Sequence, residues 1–418
     1  MPLTETFLRV KQAAKTLALL SDEQRQNVLM AVANAIIEHK AQLLNANAQD
    51  LAKMDKGSPL YDRLQLTGSR LEAIAADMRQ VALLPSPLGH VTKPSTLPNG
   101  LRLHRVSVPF GVIGIIYEAR PNVTFDVFAL CFKSGNACLL KGGHDAEASN
   151  LAGVKLIHEV LRRFSISTDA VCLLPATHEA TAALLSAVGY VDLCIPRGGR
   201  RLIDFVRDTA RVPVIETGAG VVNTYFDCDA DLAMGRDIVL NAKTRRVSVC
   251  NALDCLLVHR ERLCDLPALV APLFEKGVTL YCDDEAYAAV SPACSTQHSK
   301  FIQHASADSF GTEFMDYKLA IKTVANVDEA IAHIDRYGSG HSEAIITDNE
   351  QSARRFQARV DAACVYWNAP TSFTDGAQFG LGAEIGISTQ KLGPRGPMAL
   401  EEITTYKWII EGEGQTRP

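Results

Sequence analysis

The 418-residue sequence has no apolar run of about 18 residues, so no membrane-spanning helix is expected. Its first 20 residues set Glu5, Lys11 and Lys15 among apolar positions and read as an amphipathic helix, not a secretion signal. It has no CxxC pair, and its 11 cysteines are odd in number and scattered, so neither a disulfide framework nor a zinc cluster is predicted. None of the 11 histidines shows H-x-x-x-H spacing, and no metal site is expected. The dinucleotide fingerprint G-x-G-x-x-G is missing. Charge of one sign is missing too. Forty-two basic residues against 47 acidic ones leave a net charge of −5, which draws neither nucleic acid nor an anionic membrane. Reduced thiols and the lack of an export signal point to the cytoplasm.

What remains is an ordinary globular composition, 47% hydrophobic and 21% charged, long enough for two or three domains. Residues 1–85 carry helical periodicity. Ser21 and Gln24 have the spacing of a capping box, and Val28, Leu29, Val32, Ala35 and Ile36 form the apolar stripe behind it. A second helix is predicted over 69–83. Residues 101–108 alternate and read as half of a hairpin. From Pro109 to about 215, strand patterns (111–117, 137–141, 170–174, 193–195, 212–215) alternate with helical ones. That pattern predicts a doubly wound parallel sheet with ligands beyond the carboxyl ends of its strands. Residues 219–395 repeat it, with strands at 253–258, 279–281, 344–347 and 364–367. The tail, 403–410, is a further strand suited to pairing with another domain or subunit.

The chemistry centres on residues 243–254. A predicted helix runs to Lys243, and a buried strand follows Cys250 and Asn251. Cys250 therefore stands on a turn between two rigid elements, with Arg245 and Arg246 near enough to favour a thiolate. Spacing alone leaves it open whether it is a nucleophile or one more inert small hydrophobe. Residues 195–201 follow a strand and open a helix. The N–H groups at Gly198 and Gly199, with the charge of Arg197, suit a phosphate, although a plain basic turn has the same pattern. Lys141 ends another strand, within reach of a ribose or phosphate. Glu216 has the chemistry of a base, but also that of a surface carboxylate.

The motifs PFGVIGIIYEARPNVT (109–124), KSGN (133–136), VCNA (249–252), RYGSGHSEA (336–344), FTDG (373–376) and FGLGAEIGISTQK (379–391) together resemble the aldehyde dehydrogenase superfamily. Within it they resemble the branch that reduces γ-glutamyl phosphate. The resemblance covers nearly the whole chain. It implies an α/β fold of aldehyde-dehydrogenase type, with two doubly wound parallel-sheet domains and a small β oligomerisation arm. The cofactor-binding domain would be 1–93 with 109–218, the catalytic domain 219–395, and the arm 94–108 with 396–418.

The resemblance also implies Cys250 as nucleophile, Asn122 as oxyanion donor, Lys141 at the adenosine ribose, and Arg197, Gly198 and Gly199 near the diphosphate and nicotinamide ribose. Glu313 falls near the family's ribose-binding glutamate. Candidates for the substrate's carboxylate are Arg120, Arg245, Arg246 and Ser388. Hydrolytic members carry Glu-Leu-Gly-Gly-Lys, where this chain has Glu216-Thr-Gly-Ala-Gly220, so the carboxylate is kept but its water-activating setting is not. After Lys141, Gly142-Gly143-His144 replaces the acidic residue common in NAD-preferring members, which favours NADP(H). The expected activity is NADPH-dependent reduction of L-glutamyl 5-phosphate to glutamate 5-semialdehyde through a cysteinyl thioester. The expected partners are a small-molecule substrate, further copies of the chain and, transiently, glutamate 5-kinase.

Overall fold

The computed structural model describes residues 3–58, 61–293 and 298–417. By its internal contacts the chain forms two compact units. The first runs to Thr217 and takes in Gly380–Gly386 and the residues from Pro397; the second is Gly218–Phe379 with Ile387–Gly396. Residues 380–386 thus depart from the catalytic domain expected at 219–395. Ile385 is fully buried in the first unit's core, and its N–H donates to the carbonyl of Met398 at 2.8 Å. The arm also packs with the first unit.

In the first unit, Leu3–Leu17, Asp22–Glu38 and Gly68–Leu83 are helices. Ser21 caps the second of these: its hydroxyl accepts from the Gln24 N–H, and the Gln24 side chain accepts from the Ser21 N–H. Four parallel strands follow, in the spatial order Val171–Leu173, Ala137–Gly142, Val112–Tyr117, Leu193–Arg197. Every residue of Val112–Tyr117 is buried. Each of its aliphatic side chains contributes about 1.5–3 kcal/mol of burial energy, which fixes the strand at the centre of the sheet. The strand predicted at 212–215 is reduced to a single bridge, Cys194 to Val214, because Pro213 has no N–H to continue a ladder.

The KSGN motif is structural. Lys133 is enclosed and donates to the Ala82 carbonyl. Asn136 accepts the Gly111 N–H and donates to the Ile403 carbonyl, tying the sheet to the tail. The arm is a three-stranded antiparallel sheet, Val91–Thr96, Arg102–Pro109 and Thr404–Glu411.

The second unit holds seven parallel strands, in the order Ile302–His304, Thr279–Cys282, Lys318–Val324, Cys255–His259, Asn223–Phe226, Ser342–Ile346, Cys364–Trp367. Two inner strands set polar residues among their apolar ones. Lys318–Val324 includes Lys322, whose ammonium reaches Asp283 at 3.0 Å. Asn223–Phe226 opens on a buried asparagine whose N–H is taken by Glu343 at 2.9 Å. Among the described residues, no helix is long and apolar enough to cross a membrane.

Candidate active site

The first sheet reverses its strand order between Val112–Tyr117 and Leu193–Arg197, where Tyr117 pairs in register with Arg197. A reversal of this kind leaves a crevice at the strands' carboxyl ends. Several predicted residues gather there. Asn122 opens the helix Asn122–Lys133, and its amide donates to Asp126 Oδ2 at 2.9 Å, one helical turn on. Burial pushes the Asp126 carboxyl up to about 6, against the opposing pull of the Arg197 guanidinium and the Asn122 amide. Gly198 and Gly199 lead into the helix Arg200–Thr209, as the phosphate reading requires. The Gly199 N–H, however, is already taken: Glu118 Oε2 accepts it at 3.0 Å. An anion at this turn must displace that carboxylate.

Beside this point, a cavity of about 310 Å³ lies at the ends of Ala137–Gly142 and Val171–Leu173. Gly142, Gly143, Glu147, Asn150, Leu151 and the 173–176 segment line it. Lys141, half-buried next to its wall, has its pKa lowered by desolvation. Asn150 is 1% exposed; its Oδ1 accepts from Thr124, and its Nδ2 has no hydrogen-bond partner among the described residues. An acidic side chain does stand on this wall, Glu147, six positions beyond Lys141.

In the second unit the helix before the thiol is Leu232–Thr244, capped by Asp231. The strand after it starts later than predicted, at Cys255, because residues 252–254 are buried but not paired as a strand. Cys250 is half-buried on the intervening turn. It sits at the amino edge of its sheet, not at the carboxyl ends where the sequence pattern placed ligands. Two contacts fix its backbone. A side chain at position 220 would put its Cβ 1.6 Å from the Cys250 carbonyl oxygen, so only glycine fits there. Asn251 is stapled on three sides: its Nδ2 donates to the carbonyls of Ser372 (3.3 Å) and Thr374 (2.9 Å), and its carbonyl accepts from the Thr371 hydroxyl (2.9 Å). Cys255, five residues on, is fully buried against His333 at 3.7 Å, and desolvation holds its thiol well above the usual range. Of the two neighbouring cysteines, Cys250 alone meets the exposure that reactivity needs.

Glu313 lies with this group. Its Oε1 accepts the Gly220 N–H at 3.2 Å. The next N–H, of Phe314, donates to Asp254 Oδ1 at 3.1 Å. Asp254 and Lys243 are buried together 3.9 Å apart; burial pushes the carboxyl up and the ammonium down.

The substrate candidates fall in both units. Arg120 is half-buried in the first unit, while Arg245 and Arg246 are exposed in the second. Ser388 is fully enclosed, and its hydroxyl has no hydrogen-bond partner among the described residues. Glu216 faces Arg207 at 3.5 Å. Sequence reasoning missed Glu118, Asp126 and Asp254. The i,i+4 spacing of Asn122 and Asp126 was a usable signal for one of them. Asp227, Cys228 and Asp229 bring donor atoms within 4.8 Å of one another, but Tyr225 and Thr347 already donate to Asp227, and Asn349 to Asp229.

No protein-family model matches the chain. Over 415 residues it is 60% identical to the gamma-glutamyl phosphate reductase of Bacteroides thetaiotaomicron, covering 99% of each. The crystal structure of gamma-glutamyl phosphate reductase from Thermotoga maritima matches it with a TM-score of 0.93 at 40% identity, covering 100% of both chains. An acetylating aldehyde dehydrogenase from Geobacillus thermoglucosidasius shares the fold alone, with a TM-score of 0.72 at 17% identity, covering 99% of this chain and 97% of that one. The chain therefore belongs to the gamma-glutamyl phosphate reductase family.

Proposed function

We propose that the chain reduces L-glutamyl 5-phosphate to L-glutamate 5-semialdehyde and phosphate, the second step of proline synthesis from glutamate, with Cys250 as nucleophile and NADP(H) as cofactor. The observation that carries the reading is the contrast at the second sheet's amino edge. Cys250 is half-exposed on a turn braced by Gly220 and Asn251, while the nearby Cys255 is sealed away.

The cavity beside Lys141 suits the adenosine end of a dinucleotide. It carries apolar walls, two glycines for close approach and a buried donor, Asn150 Nδ2, that has no partner among the described residues. Lys141, Arg197, Gly198 and Gly199 are assigned to this cofactor, and Glu313 to a ribose hydroxyl. When bound, the reduced nicotinamide supplies a hydride. The choice of NADP(H) over NAD(H) rests on the Gly142-Gly143-His144 sequence after Lys141, with the Glu147 carboxylate opposing it.

The Cys250 thiolate attacks the carbonyl carbon of the acyl phosphate. Asn122, with the Cys250 N–H, holds the oxyanion; one such donor contributes about 3 kcal/mol in comparable sites. The C–O bond to phosphate breaks as the carbonyl re-forms, leaving a thioester on Cys250. After reduction, the C–S bond of the thiohemiacetal breaks, releasing the aldehyde and restoring the thiolate. No water enters this sequence, so it makes no use of Glu216 as a base, and that carboxylate is left to face Arg207. The guanidinium groups of Arg120, Arg245 and Arg246 are assigned to the substrate's carboxylate, with Ser388 as a further candidate. The arm is assigned to self-association, the enzyme to the cytoplasm, and transient contact with glutamate 5-kinase to the supply of the labile acyl phosphate.

The test runs the reaction backwards. Oxidation of glutamate 5-semialdehyde by the full chain should require inorganic phosphate and prefer NADP over NAD. Undiminished oxidation without phosphate indicates a hydrolytic aldehyde dehydrogenase instead, and a preference for NAD refutes the cofactor assignment.

A further inference from the structure

We propose that Lys243 and Asp254 form a positioning clasp that closes the turn carrying Cys250 and, through Phe314, sets Glu313. The proposal rests on the preceding assignment of Cys250 and Glu313. Lys243 stands in the last turn of the helix Leu232–Thr244, and Asp254 stands one residue before the strand Cys255–His259. The segment between them holds the thiol. Its two ends are joined by backbone and by side chain: the Leu253 N–H donates to the Ala242 carbonyl at 3.0 Å, and Lys243 Nζ donates to the Leu253 carbonyl at 2.9 Å. The Lys243 side chain is wholly enclosed and that of Asp254 is 4% exposed.

Asp254 then reaches beyond the turn. Its Oδ1 accepts the Phe314 N–H at 3.1 Å, which fixes the residue after Glu313. Glu313 in turn accepts the Gly220 N–H, and Gly220 abuts the Cys250 carbonyl. A continuous path therefore runs from the clasp through Glu313 and Gly220 back to the nucleophile's own peptide. Stability alone does not account for such a pair. Removing two charges from water costs about as much as their attraction returns, and apolar residues of like volume often serve as well. What apolar residues cannot supply is the acceptor for Phe314.

Two double variants isolate that acceptor. Lys243→Met/Asp254→Asn removes both charges and keeps an acceptor; Lys243→Met/Asp254→Leu removes both charges and the acceptor. Each full-length variant is checked for folding by thermal melting. The iodoacetamide alkylation rate at Cys250 is followed by peptide mass, and the NADPH Kd by fluorescence. The asparagine version should stay within about twofold of the parent in both readouts, and the leucine version should lose roughly fivefold or more in each. In a Glu313→Leu background, the step from asparagine to leucine should no longer change the NADPH Kd. Two folded double variants with the same alkylation rate and Kd overturn the clasp, as does a Kd loss that persists without Glu313. If the leucine version does not fold, Glu313→Leu alone decides, because the path requires it to slow Cys250 alkylation roughly fivefold and an unchanged rate refutes it. A Cys250→Ser chain that retains full activity sinks the functional reading itself; an inactive one with indistinguishable double variants sinks only the clasp.

Discussion

The Asn122 amide donates to Asp126 Oδ2 at 2.9 Å, so the proposed oxyanion donor is oriented by a carboxyl that titrates near neutrality. Above about 6 the ionised carboxylate holds the amide firmly; below it, the protonated form holds it less well. Turnover should therefore rise through an ionisation near 6 that is missing in Asp126→Asn. Stability runs the other way. The folded pKa lies above the unfolded value of about 3.9, so the contribution of Asp126 is complete below about 4 and is lost as pH rises through 6. Urea midpoints should favour Asp126→Asn more strongly at pH 7.5 than at pH 4, and a constant difference refutes the shift.

Glu118 occupies the N–H that the diphosphate is proposed to use. Glu118→Gln should tighten NADPH binding about two- to fivefold, the effect of removing one competing charge worth about 0.3–1 kcal/mol at a helix N-terminus. Fluorescence titration decides, and weaker binding in the glutamine variant means the carboxylate helps the cofactor rather than competing with it.

Asn251 offers both amide hydrogens to carbonyls, of Ser372 and Thr374. Asn251→Asp would aim oxygen at oxygen. A loss of about 3 kcal/mol in stability is expected for the broken contacts. Turnover should fall roughly 10²-fold through misplacement of the neighbouring thiol. Urea unfolding and initial rates measure the two, and parent-like values in both exclude the staple.

The parts of the fold that were legible in the sequence were those set by neighbours in the chain. The Ser21 cap reads from a three-residue spacing, and the setting of Cys250 reads from the helix before it and the apolar run after it. Lys318–Val324 and Asn223–Phe226 were not legible, since the Lys322 side chain and the Asn223 backbone N–H find their partners, Asp283 and Glu343, in distant segments. The same applies to the site. Nothing local in the sequence shows that Asp254 meets Phe314, 60 positions on, or that Glu118 folds onto Gly199, 81 positions on. Residues 380–386 group with the first unit through the burial of Ile385, which their order in the chain does not show.

Tyr406, Trp408 and Ile410 alternate along the terminal strand and are 52%, 47% and 59% exposed, an apolar row on one face. The Arg105 guanidinium covers part of it, 3.1 Å from the centre of the Tyr406 ring. Self-association through this arm predicts that Trp408→Asp sediments as a smaller species than the parent at equal concentration. Equal sedimentation assigns the row to another role.

The central claim is that Cys250 is the reacting sulfur. Phosphate- and NADP-dependent oxidation of glutamate 5-semialdehyde should be abolished in Cys250→Ala and retained within about tenfold in Cys255→Ala, whose parent thiol is sealed in the core. Activity that survives the first substitution and vanishes in the second would contradict the account.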